Sequence, residues 1–81
     1  MSVATTSSTR QITVYVRLLG EGATVFRPTL GESTGPQTVR LLPTADYDPS
    51  DEEWEFPPET LVRVEARLLE GCSALVATSV V

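Results

Sequence analysis

Seven of the eleven carboxylates in this chain fall within one short stretch: Asp46, Asp48, Asp51, Glu52, Glu53, Glu55 and Glu59. Three chemistries use acids at such density: binding of a hard cation, glycoside hydrolysis by a carboxylate pair, and docking of a basic partner. Calcium needs a particular spacing. Aligning Asp46 and Asp48 with the first and third positions of an EF-hand loop puts Asp51 where glycine belongs and Pro57 where the bidentate glutamate belongs. That mismatch argues against a metal site. Glycoside hydrolysis needs a substrate cleft, for which a chain of 81 residues has little room. Docking remains, with Asp51, Glu52, Glu53, Trp54 and Arg27 as the candidate contacts.

Other reactive groups narrow the field further. The chain has no histidine, so it lacks the commonest general base and the commonest metal ligand. It also has no lysine, since all six basic residues are arginines, which removes Schiff-base chemistry and a phosphate-loop lysine. Serine and threonine hydroxyls are plentiful but have no base to activate them. Cys72, the single cysteine, allows no internal disulfide, and a buried or bystander role suits it better than that of an activated thiol. The expectation is a non-enzyme with no cofactor and no metal, in a reducing, cytoplasmic setting.

The acidic stretch contains no arginine and carries a charge of −7, whereas the rest of the chain sums to +2. An anionic loop on a mildly basic body suits a basic protein partner and opposes binding to duplex DNA. Arg17, Arg40, Arg63 and Arg67 sit at outward positions of expected strands and suggest a patch for single-stranded RNA. Only Tyr15 offers a stacking ring there, and the RNA reading is correspondingly weak. A stacked pair of Trp54 with Arg27 is a further way to hold a partner. The plainer alternative is that Trp54 is the largest piece of a small core.

The elements that would position these residues are mostly strands. Met1 to Thr9 is rich in Ser, Thr and Ala, and residues 1–10 read as a disordered tail ahead of one β domain spanning 11–81. From Gln11, the residues Ile12, Val14, Val16 and Leu18 alternate with Thr13, Tyr15, Arg17 and Leu19, the period of a half-buried strand. Gly20-Glu21-Gly22 turns the chain into a second strand, Ala23 to Phe26, which Pro28 cuts short. Gly31 to Pro36 reads as a loop and Thr38 to Leu42 as a third strand. In the acidic stretch Trp54 and Phe56, two apart, point to one side and should pack on the core, while Ser50 is placed to cap a helical turn.

After Pro58 two readings compete. A helix would begin at the proline, carry Leu61, Val64 and Leu68 on one stripe and end at Gly71. A strand would put Val62, Val64, Ala66 and Leu68 on one face and Arg63, Glu65 and Arg67 on the other. The strict alternation of β-branched valines with charges favours the strand. Ala74 to Val81 forms a last strand. Five strands joined by Gly- and Pro-rich turns predict a mainly β fold, a small antiparallel barrel of the SH3-like kind with a long acidic loop. No apolar run reaches the length of a membrane span. An alternative to partner docking is a homodimer formed edge to edge through Ala74 to Val81.

The segments EGATVFRP, Glu21 to Pro28, and YDPSDEEWEFPPETLVRVE, Tyr47 to Glu65, resemble the pattern of a group of short bacterial proteins. Members share a leading strand, an EGT-type turn before an aromatic-Arg-Pro, and a DEEWEFPPG-type segment before a valine-rich strand. Phe26 here stands where tryptophan is usual, and Glu59 where glycine is usual. The resemblance implies a compact β fold and brings no activity with it.

Overall fold

The fold was analysed in a computed structural model that describes residues 10–20 and 22–81. The expected disordered tail therefore lies outside the described residues except for Arg10, and so does Glu21. Six strands run in the order β1 (Arg10–Leu19), β2 (Val25–Ser33), β3 (Thr38–Leu41), β4 (Glu53–Trp54), β5 (Leu61–Leu69) and β6 (Cys72–Val80), with no helix among the described residues. The segment after Pro58 is thus a strand. Val62 and Val64 are buried on it and Arg63, Glu65 and Arg67 are exposed, as the period-two reading requires.

Pairings run from β1 to β2, β2 to β3, β3 to β5, β5 to β6 and from β6 back to β1, while β4 lies against the far end of β1. All are antiparallel except β6 with β1, which meet in parallel at Tyr15 and Val76. The five expected strands are present, with the two-residue β4 added to them, and the expectation of wholly antiparallel pairing is corrected at β6 with β1. Five strands that alternate in direction cannot do so all the way round, because the number is odd, and one neighbouring pair must run the same way. The sixth strand comes from the acidic segment, where Trp54 pairs with Leu18 and Glu53 with Leu19.

Strand β2 is longer than expected. It runs straight through Pro28, which sits opposite Tyr15, and absorbs Gly31 to Ser33, which read as loop. Strand β3 pairs only with Gly31, Glu32 and Ser33, so at Pro28 one side of β2 has no strand beside it and a missing N–H leaves no ladder bond unmade there. The inward row of β2 is unusual in composition. Val16 and Val14 are buried, and their partners on β2 are Arg27 and Thr29, followed inward by Gly31 opposite Ile12. None of the three is a large apolar residue. Thr29 is buried and donates its hydroxyl to the Leu42 carbonyl at 2.5 Å. Gly31 packs so closely on Val39 that an added Cβ would run into Val39 Cγ1.

The core is built from Val14, Val16 and Leu18 of β1, Val39 and Leu41 of β3, Val62 and Val64 of β5, and Ala77 of β6, completed by Trp54 and Phe56. The two aromatics supply bulk that the inward row of β2 lacks. Trp54 is 4% exposed and Phe56 8%, on the same side of the chain as their spacing predicts. Ala66 and Leu68 depart from the expected buried face. Pairing with β3 ends at Arg63, and beyond it the β5–β6 hairpin carries Ala66 exposed and Leu68 at 76% exposure. Strand β6 begins at Cys72, two residues earlier than expected, and Cys72 is exposed there.

Candidate functional site

The acidic segment is tied to the body by Arg27. Its position on the inward row of β2 aims the side chain at the space beside Trp54 that the acidic segment fills, and there it meets two carboxylates. Nη2 donates to both oxygens of Asp46, at 2.8 Å to Oδ1 and 2.9 Å to Oδ2. Nε lies 3.5 Å from Glu52 Oε1, close enough for charge attraction, though its own hydrogen has no bonded partner. The same Glu52 oxygen accepts the Trp54 indole N–H at 3.0 Å. Trp54 packs edge-to-face on Tyr47, ring centres 4.8 Å apart at 67°. Arg27 and Trp54 are therefore joined through the Glu52 carboxylate.

Local hydrogen bonding shapes the rest of the segment. The Asp48 carbonyl accepts the amides of Asp51 at 2.9 Å and Glu52 at 3.0 Å. Its side-chain Oδ1 accepts the Ser50 amide at 2.9 Å and the Ser50 hydroxyl at 2.6 Å. Asp48, not Ser50, caps this single turn. The signal was present as Asp48-Pro49, an acceptor followed by a residue with no N–H to satisfy, preset for the first turn position. Further on, the Glu55 amide donates to the Arg17 carbonyl at 2.8 Å, extending the β4 contact with β1. Asp46 is held below the usual carboxylate range, first by the hydrogen bond from Arg27. The Ser50 hydroxyl, followed by its amide, lowers Asp48.

Of the five candidate contact residues, three converge and two do not. Arg27, Glu52 and Trp54 form the clasp, with Trp54 buried beneath it. Asp51 and Glu53 are exposed, and so are Asp48 and Glu55. None of these four makes an ion pair with the described residues, whereas Glu59 stands 4.0 Å from Arg40. The clasp thus presents a fringe of four exposed carboxylates outside any ion pair with the described residues, of which Asp48 is turned back onto Ser50.

No family model, curated protein or solved structure matches this chain.

Two further features complete the surface. A shallow hollow of about 600 Å³ lies between Tyr15 and Phe26 on one side and Leu68, Leu69 and Cys72 on the other, with Glu70 its one charged residue. Of the four outward arginines, Arg40 is paired with Glu32 and Arg67 with Glu65, while Arg17 and Arg63 make no ion pair with the described residues. Among the described residues no three acid or cysteine side chains are grouped to hold a metal ion, and no helix is long and apolar enough to cross a membrane.

Proposed function

We propose that this protein is a non-enzymatic binding or regulatory module, whose acidic segment docks a basic protein partner in the cytoplasm. One observation supports the reading above others. The segment is anchored through Trp54, Glu52 and Arg27, while Asp48, Asp51, Glu53 and Glu55 stay exposed without ion pairs among the described residues. A loop needed only for solubility gains nothing from being fixed to the core. Holding the carboxylates in place lowers the ordering entropy that a partner must overcome on binding.

The body that carries the segment is read as a small barrel of the SH3-like kind. The return of the pairings to β1 and the single parallel contact support this reading. Such a body fixes the loops at its rim, where binding residues commonly lie. Duplex DNA is a poor partner, since the anionic fringe would repel phosphates.

The test compares the native chain with the triple variant Asp51→Asn, Glu53→Gln, Glu55→Gln, which leaves the clasp intact. Both are used to capture partners from the source cell at low salt, and each captured protein is then purified and titrated directly. A basic protein that binds the native chain, releases it as salt rises and ignores the variant is the expected result. Partners that bind both chains equally, or none at all, would overturn the proposal.

A further inference from the structure

The outer face of the sheet connects the acidic fringe to the hollow beside Tyr15. Trp54, Val16 and Leu18 are buried, so Glu53 and Glu55 on one strand and Tyr15 and Arg17 on the next turn outward. Glu53 lies opposite Leu19, the Glu55 amide donates to the Arg17 carbonyl at 2.8 Å, and Arg17 lies opposite Phe26. Phe26 and Tyr15 then form one wall of the hollow of about 600 Å³, and Leu68 and Leu69 of the β5–β6 hairpin form the other. That volume is in the range of sites that hold a large organic group.

Glu70 is the one charged residue of the hollow and makes no ion pair with the described residues. It stands at the hairpin tip with φ 52°, a position that asparagine or glycine would take with less strain. Strain retained for a carboxylate that pairs with nothing among the described residues points to a contact outside the chain. Arg17, the neighbouring cation on this face, lines a different hollow, beside Gly20 and Gly22.

We infer that the hollow takes an arginine side chain of the basic partner, an inference that rests on the docking reading given above. A wholly apolar occupant would strip water from Glu70 and leave its carboxylate without a partner. A guanidinium supplies the opposite charge, is more weakly hydrated than an ammonium and is attracted to aromatic rings such as Tyr15 and Phe26. Its aliphatic stem suits the leucine wall. A basic segment lying across this face then meets carboxylates at both ends, Glu53 and Glu55 at one and Glu70 at the other.

The experiment titrates the full chain with acetyl-hexaarginine amide at low salt and follows the side-chain NMR signals of Tyr15, Phe26, Leu68 and Leu69. Those signals are expected to shift and saturate. Glu70→Asn, which relieves the strain at the tip, and Phe26→Leu, which removes a ring but stays apolar, should each weaken binding about two- to fivefold. Hexalysine, of equal charge, should bind less tightly and shift the ring signals less. The triple variant Asp51→Asn, Glu53→Gln, Glu55→Gln separates this inference from the docking reading, since it should lower the affinity but leave the ring shifts at saturation unchanged. Ring signals that stay unmoved while the Glu53 and Glu55 amides shift would overturn the inference and leave the docking reading standing. Ring shifts of equal affinity in the native chain and the triple variant would uphold the hollow and remove the fringe from docking. Equal affinity of hexaarginine for the native chain and Glu70→Asn, or equal affinity of the native chain for hexalysine, would overturn the inference.

Discussion

At the residue scale the chain places two glutamates in the left-handed region, where side chains crowd the backbone. Glu59 has φ 75°, and the turn is closed by the Thr60 amide donating to the Pro57 carbonyl at 3.2 Å. A proline at the second position followed by a residue with positive φ is the arrangement of a type II turn, which favours glycine third. Glu59→Gly should therefore raise stability by about 0.5–1 kcal/mol, measured by urea unfolding. Loss of stability in that variant would mean that the Glu59 contact with Arg40 outweighs the backbone strain.

The clasp gives a second expectation at this scale. Glu52→Ala leaves the indole N–H of a buried tryptophan without an acceptor and should destabilise the fold by about 1–3 kcal/mol. Glu52→Gln keeps a carbonyl oxygen in place and should lose much less. Asp46 adds a dependence on pH. Because its folded pKa is depressed, mainly by Arg27, its contribution is fully present above the unfolded aspartate value of about 3.9. It is lost as pH falls through the depressed folded value. Acid titration of Arg27→Met, which lacks the partner, should show less loss of stability in that window than the native chain.

At the scale of elements, β2 is where the sequence was hardest to read. Pro28 and the Gly31 region look like strand breakers because composition does not reveal which side of a strand is open. Gly31 serves the fold by its missing side chain, and Gly31→Ala should cost at least about 1–3 kcal/mol through overpacking against Val39. The β5–β6 turn illustrates the reverse case. Glu70 and Gly71 both have positive φ, 52° and 83°, as a two-residue hairpin of type I′ needs. Gly71 announced that turn. Asparagine is better suited than glutamate to the first position, so Glu70→Asn should stabilise the hairpin by a few tenths to about 1 kcal/mol. Its melting temperature should rise accordingly.

Seen as a whole molecule, the chain divides into parts with different legibility. Strands β1 and β5 were readable because valines alternate there with polar residues, and the burial of Trp54 and Phe56 followed from their spacing. The two-residue strand β4 was not, since two residues carry no periodicity and its pairing with Leu18 and Leu19 is long-range. Nor could charge counting show that Arg27 sits on an inward row, because that depends on the register of β1 with β2. That placement makes the acidic segment part of the fold. From Arg27 to Gly31 the inward row of β2 lacks large apolar residues, the segment supplies two aromatics, and the arginine there neutralises part of the charge that comes with them.

Hydrogen exchange at the Trp54 indole and the Glu55 amide tests this claim most directly. Both are expected to exchange as slowly as the amides of β1 and to share their free energy of opening. Exchange at the rate of an unstructured peptide, with β1 still protected, would show the acidic segment to be a loose loop and would contradict the clasp.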